Sequence, residues 1–459
     1  MNKAYLGIDA GTSSVKALIF RENGETESVK EAYSDPTPEG FLTAVKGALK
    51  KLDMSCVSAV GLTSQVGTYI IDEKDVLSWN SGVGKRQLEE IRRKYSKDEF
   101  IEEISMPHPD ILSYPIPRLL YIREEYGLNV RVCQPKDLIG RMLTGVYATD
   151  VFSWRGLTNI EKGAYSRRFV DEIGIKGLPE VRRPFEKLGR VTQKAAEETG
   201  LKAGTPVYIG MNDFFASLAG MGLSDHGTLF DITGTSEHVG VITKKPVYET
   251  KLVSGPYLTD YVHYGVTASS GVSLAWADRM FGNFMNLPEN SDLAGAPVFL
   301  PYLDGERAPV FDADARGVFF GISADTDKRL MAYSVMEGVV FSLYHIYETL
   351  EKPGCGRMIV SGGASDRESL NCLKAEMFGL NLITLKEKET SALGAVMAAA
   401  VGEGDYPDIR TAKEVFTRED RAYFPKGRIR QNLLKRYEIY KKLYPSLAES
   451  FRGLKEVRL

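Results

Sequence analysis

The chain has 459 residues, 43% of them hydrophobic and 26% charged, with a formal net charge of -3. That length exceeds one ordinary hydrophobic core and implies two or three domains of a soluble globular protein. The near balance of charge speaks against a polyanionic partner such as nucleic acid.

Met1-Asn2-Lys3 leads straight into an apolar run, with no basic n-region followed by an h-region, so no signal peptide is expected. The longest nearly uncharged apolar stretch, around 393–402, is too short to span a bilayer. Cys56, Cys133, Cys355 and Cys372 are scattered, and His108, His226, His238, His263 and His345 show no metal-site spacing. A reduced, cytoplasmic protein without disulfides or structural zinc is expected.

In chain order, Tyr5-Leu6-Gly7-Ile8 and Val15 to Phe20 flank the turn Asp9-Ala10-Gly11-Thr12-Ser13-Ser14, which predicts a β-hairpin. Its backbone N–H groups can form an anion-holding concavity, with a metal ion separating Asp9 from a phosphate. The alternative is a hairpin closed by an Asx-turn. Residues 39–52 carry apolar side chains at intervals of three and four and predict a helix. Val57 to Leu62 reads as a buried strand ending in Thr63-Ser64-Gln65. Such an exit is where open α/β sheets place ligand contacts, although a plain polar loop also fits. Ser78 to Gly82 reads as a surface loop, and 85–180 as mostly helical, with breaks at Pro107, Pro109, Pro115, Pro117 and Pro135. Val207 to Gly210 is a short strand running into Met211-Asn212-Asp213. Local preference makes Asp213 the N-cap of a following helix, and a general base at a strand tip is the competing reading.

Thr228 to Ser236, followed by Val239 to Ile242, repeats the opening pattern of strand, Asp, Gly, Thr-Ser and strand. Two such elements half a chain apart imply two similarly built halves, each presenting a phosphate-sized loop. Phe299 to Arg307 and Ala315 to Gly321 form a long charged loop. It is either a site or a self-contained network of Asp304, Glu306, Arg307 and Arg316. Residues 328–350 predict a helix. Met358 to Ser365 gives a third glycine loop, with a helix from Leu370 to Phe378 behind it, an arrangement by which backbone approaches a nucleotide. Ser391 to Ala400 is a small-residue helix suited to close packing. Ile429, Leu433, Tyr437, Tyr440 and Tyr444 stripe a final helix that docks on the body rather than on a membrane.

Together the three loops resemble the FGGY family of carbohydrate kinases, in the actin/hexokinase/heat-shock ATPase superfamily, in family order and over essentially the whole chain. The resemblance implies an α/β fold of two ribonuclease H-like, actin-type ATPase domains with a cleft between them. Their expected limits are 1–222 for the N-terminal domain and 223–425 for the C-terminal domain, with 426–459 an amphipathic helix packing on the body. It implies transfer of the γ-phosphoryl group of ATP to a sugar hydroxyl, with Asp213 of Gly210-Met211-Asn212-Asp213 as the base. Gly11, Thr12, Ser13, Gly234, Thr235 and Ser236 would cradle phosphates, and Gly362, Gly363 and Ala364 would line the adenosine side. Asp9 would hold Mg²⁺, with Asp231 a second metal-side carboxylate, and Gln65, Asn212 and Asp213 would meet the sugar. The partners are the sugar and ATP, with neither nucleic acid nor membrane, and a homodimer is the candidate assembly.

The signature regions are degenerate: Arg118 and Tyr121 stand where the pattern has Lys and Trp, and Leu330 stands at a usually polar position. The loop Gly305-Glu306-Arg307 with Arg316-Gly317 is most similar to the xylulokinase branch, which makes a ketopentose such as xylulose the expected acceptor. Ribulose, erythritol and gluconate are the alternatives, and a non-catalytic nucleotide-binding sensor is the reading from another class. The departures fall on the sugar side. Gln65-Val66-Gly67-Thr68 replaces Gln-Met-His-Gly, and Trp79-Asn80-Ser81-Gly82-Val83 lacks the Asp and Arg of Trp-x-Asp-x-Arg, which argues against glycerol kinase.

Overall fold

Buried hydrophobic runs alternate with amphipathic helices to build two mixed sheets, each the centre of its own compact unit. The first unit comprises Met1–Ser224 and Glu389–Arg418, the second Asp225–Lys388 and Glu419–Leu459. This computed structural model describes residues 3–107, 111–282, 295–351, 354 and 356–457; Met1, Asn2, His108, Pro109 and Cys355 lie outside them.

The first sheet has the order Lys187–Arg190, Pro206–Asn212, Val57–Ser64, Ala4–Ala10, Ser14–Arg21, Thr26–Ala32. The opening hairpin forms as expected, with Asp9 opposite Lys16 and Ala10 opposite Val15. Ala4–Ala10 then pairs in parallel with Val57–Ser64, which pairs in parallel with Pro206–Asn212. The second sheet repeats this plan. Leu229–Thr233 is antiparallel to His238–Thr243 and parallel to Arg357–Gly362, which is parallel to Asn381–Leu385. The two halves are thus built alike, as the repeated strand-turn-strand pattern implied.

Where the sequence suggested breaks at Pro115 and Pro135, the structure has helix starts. Each proline is the first residue of its helix, Pro115–Tyr126 or Pro135–Thr144, where a missing N–H costs nothing. The Ser270–Phe281 helix was not anticipated, because its first turn, Ser270-Gly271-Val272-Ser273, is poor in helix formers. The last helix, Arg430–Glu456, buries Leu433, Tyr437, Tyr440, Leu443 and Phe451 within the second unit. The Tyr440 hydroxyl lies 2.8 Å from that of Tyr302. In the long charged loop, Glu306 accepts from the Ala268 and Arg307 N–H groups and from Ser342, which fastens the loop to its own unit.

The small-residue Thr390–Gly402 helix returns to the first unit and lies unusually close to its sheet. A Cβ on Gly7 would lie 2.1 Å from the Ala392 carbonyl oxygen, and one on Gly61 would lie 1.8 Å from that of Ala395. The same helix meets the Asp213–Gly220 helix, where a Cβ on Gly394 would lie 1.9 Å from the Ala216 carbonyl oxygen. Alanine in place of glycine normally favours a helix interior by about 1 kcal/mol. At Gly394 the sign is expected to reverse, with Gly394→Ala losing roughly 1–3 kcal/mol through overpacking. Gly47→Ala, in the Pro38–Leu49 helix, meets only the Glu31 side chain at ordinary contact distance and is expected to be neutral or stabilising. Comparing the two melting temperatures with that of the parent tests the close approach.

Candidate active site

In the first unit the hairpin turn is held from beneath and leaves its tip exposed. The Gly11 N–H donates to the Ser14 carbonyl at 3.0 Å, and the Tyr33 hydroxyl donates to the Gly11 carbonyl at 2.9 Å. Thr12 and Ser13 are exposed, and Thr12 Oγ1 accepts from the Trp79 indole N–H at 3.2 Å. The loop at 79–81 is anchored by buried Arg118, which donates to the Trp79 and Ser81 carbonyls at 3.1 and 2.6 Å. Gln65 is buried just past its strand, its N–H on the Ala10 carbonyl and its Oε1 without a protein partner.

Asp9 is buried at the end of its strand. Ser391, in the first turn of the Thr390–Gly402 helix, donates to its Oδ2 at 2.5 Å, and its Oδ1 has no protein partner. Burial pushes the Asp9 carboxyl up, against the Ser391 hydrogen bond and the Lys16 ammonium. Lys16 pairs with Glu389. Neither Lys16 nor Ser391 was singled out from the sequence. Lys16 was legible, since the hairpin register sets it opposite Asp9, whereas Ser391 lies 382 residues from its partner.

The structure corrects the local reading of Asp213. The N-cap is Asn212, whose Oδ1 accepts from the Phe215 N–H at 3.1 Å, and Asp213 is the first helical residue. The Asn212 Nδ2 also donates to the Phe152 carbonyl at 2.8 Å. Asn212 thus ties the helix start to the turn that carries Phe152. The turn carrying Phe152 is fixed by Asp150, which accepts from the Phe152 and Ser153 N–H groups and pairs with buried Lys136 at 2.8 Å. Asp213 itself is partly exposed. Burial pushes its carboxyl up to about 7 and the Asp9 charge adds to the rise, opposed by the Phe214 N–H, the Lys16 ammonium and the Val66 N–H.

The second unit places the other two glycine loops around one cavity of about 470 Å³, lined by Gly234, Thr235, Gly271, Gly363, Ala364 and Arg367 among others. Gly234 and Thr235 are exposed at the tip of their turn, with Ser236 partly covered. Gly362 has φ +95°, and a Cβ there would lie 2.0 Å from the Thr233 carbonyl oxygen, so only glycine lets the two turns meet. Thr233 Oγ1 accepts from the Ala364 N–H at 2.9 Å. The unanticipated Ser270–Phe281 helix supplies Gly271, whose added Cβ would lie 2.1 Å from the Gly234 carbonyl oxygen. Arg367 at the rim pairs with Asp278 at 2.7 Å.

Asp231, expected on the metal side, has one carboxylate oxygen, Oδ1, without a protein partner. It is buried and paired at 2.6 Å with Lys374, whose ammonium also meets Glu237. Its charge is taken up by a fixed cation inside the second unit.

Family models match both halves of the chain: residues 4–220 fit the N-terminal domain and 230–403 the C-terminal domain of the FGGY family of carbohydrate kinases. The chain belongs to that family. It is a phosphotransferase that uses ATP and acts on a sugar hydroxyl. A xylulose kinase of Lactococcus lactis subsp. lactis (strain IL1403) is 27% identical over 98% of both chains. Among solved structures, a gluconate kinase from Lactobacillus acidophilus superposes with TM-score 0.86 at 23% identity, covering 99% of this chain and 100% of that one. A ligand-bound xylulose kinase from the same organism gives 0.85 at 23%, covering 98% and 100%. Those structures share the two-domain fold. Among the described residues no helix is long and apolar enough to cross a membrane.

A base must be unprotonated to accept a proton, and kcat/KM reports the free enzyme. Were Asp213, its carboxyl at about 7, the base of the reaction, kcat/KM would fall about tenfold per pH unit below that value. A profile flat down to pH 5 would show that no group of this kind limits the reaction.

Proposed function

We propose that this kinase transfers the γ-phosphoryl group of ATP to a hydroxyl of a ketopentose, with xylulose the preferred acceptor. The observation that carries the chemistry is Asp213, a partly exposed carboxylate at a strand-to-helix junction with its proton affinity raised toward neutrality. The choice of xylulose is supported by a near full-length relative that bears that name.

Asp213 takes the proton of the attacking hydroxyl, so that the oxygen becomes nucleophilic as it bonds to phosphorus. Gln65, with its buried and unpartnered Oε1, accepts a hydrogen bond from a sugar hydroxyl. The Gly11-Thr12-Ser13 turn offers backbone and hydroxyl donors to phosphate oxygens. In the second unit, Gly234, Thr235 and Ser236 do the same, while Gly362, Gly363 and Ala364 border the adenosine side of the cavity. Positioning and charge neutralisation supply most of the acceleration in such a transfer.

Mg²⁺ fits Asp9, whose Oδ1 is buried without a protein partner. Among the described residues no group of three or more His, Cys, Asp or Glu side chains forms a metal cage. A hydrated ion entering with the nucleotide and taking one carboxylate matches that donor set. Bound there, the ion would neutralise charge on the phosphates. A cytoplasmic location is supported by the free thiols of Cys56, Cys133 and Cys372.

ADP release measured over a panel of ketopentoses, polyols and hexonates is expected to be greatest with xylulose. A panel in which a hexonate or polyol gives the highest kcat/KM would replace the substrate assignment. Asp213→Ala is expected to lower kcat by about 10²–10⁴-fold and leave ADP affinity unchanged. Near-normal turnover in that variant would remove Asp213 as base.

A further inference from the structure

Lys374 is a buried cation for which the phosphoryl transfer has no direct use. It lies on the Glu368–Phe378 helix, the element that follows the Gly362–Ser365 turn, and is wholly buried. Its ammonium pairs with Asp231 at 2.6 Å and also with Glu237. Asp231 belongs to the strand entering the Gly234–Ser236 turn, and Glu237 sits directly before the strand leaving it. One cation thus joins both ends of the turn to the helix behind the Gly363–Ala364 wall of the cavity.

Charge makes this tie stiff. An ammonium between two buried carboxylates cannot withdraw from either without leaving an unpaired charge in a poorly solvated interior. It also bears on what the turn can bind. Two carboxylates at the ends of a phosphate-sized turn would oppose an incoming polyanion, and that opposition is strong where water is excluded. Lys374 cancels one of those charges. Burial and the Asp231 charge push the Glu237 carboxyl up, against the pull of Lys374. The ground beneath the turn is then less negative as well as rigid.

We propose that Lys374 is a positioning residue for nucleotide binding, which fixes the Gly234–Ser236 turn against the Gly362–Ser365 turn. This rests on reading the cavity as the nucleotide site. Lys374→Met strands two carboxylates and is expected to destabilise the fold. The informative variant is therefore the triple replacement Asp231→Asn, Glu237→Gln, Lys374→Met, which removes every charge at similar volume. Thermal melting, the Kd for ADP by calorimetry, and the KM for ATP and for sugar are measured on the full chain. The triple variant is expected to melt as the parent does and to bind ADP about tenfold more weakly. Its KM for ATP should rise in parallel, with sugar KM and kcat at saturating ATP unchanged. A folded triple variant that binds ADP within about twofold of the parent overturns the proposal, as does an equal rise in both KM values. Absence of ADP binding to the parent protein overturns instead the nucleotide reading of the cavity.

Discussion

The geometry of the first unit depends on a backbone-to-backbone approach. The Thr390–Gly402 helix lies so near the sheet that Gly7 and Gly61 have no room for a side chain. From that contact the local chemistry follows. The first turn of the helix carries Ser391 to Asp9, and Glu389 just before it meets Lys16. The Asp213–Gly220 helix packs on the same element through Gly220 and Gly394. The Asp9 and Asp213 carboxylates are therefore set by main-chain packing, which holds them near enough for the charge of one to raise the proton affinity of the other.

Each unit also places a buried lysine between two carboxylates: Lys136 with Asp137 and Asp150, and Lys374 with Asp231 and Glu237. Such groups contribute little net stability over apolar residues of equal volume, yet removing one partner is costly, so they fix geometry more than they strengthen the fold. In the first unit the fixed element is the turn at 150–153, from which Phe152 reaches Asn212 and the helix that begins at Asp213. In the second it is the Gly234–Ser236 turn.

Much of this was legible in the sequence, for identifiable reasons. Both hairpins were visible because their strands are continuous apolar runs around an Asp, Gly and Thr-Ser turn, a local signal that needs no partner from elsewhere. The glycine loop at 362–364 and the close-packing helix near 391–400 were legible for the same reason. Asp213 was misread by one position, because Asn and Asp compete almost equally to cap a helix and only the backbone decides between them. The Lys374 partner of Asp231 was not legible, because it lies 143 residues away in a helix where a lone lysine looks like a surface residue. Ser391 was invisible on the same ground. Pro115 and Pro135 looked like interruptions because proline ends helices and begins them, and composition alone does not distinguish the two.

The return of the chain to its first sheet has a consequence for biosynthesis. Residues 225–388 are made between the strands of the first unit and the helix that covers them. Until that helix emerges, the glycine-lined face of the sheet has no Leu393, Val396 or Met397 to cover it. The second unit waits as well, for it is completed by residues 419–459. The first unit cannot close until residue 418 has been made, after nearly all of the second unit's 225–388 stretch, so its folding is not independent of the insertion of that stretch. The first sheet therefore stands uncovered on that face while the whole of 225–388 is being made.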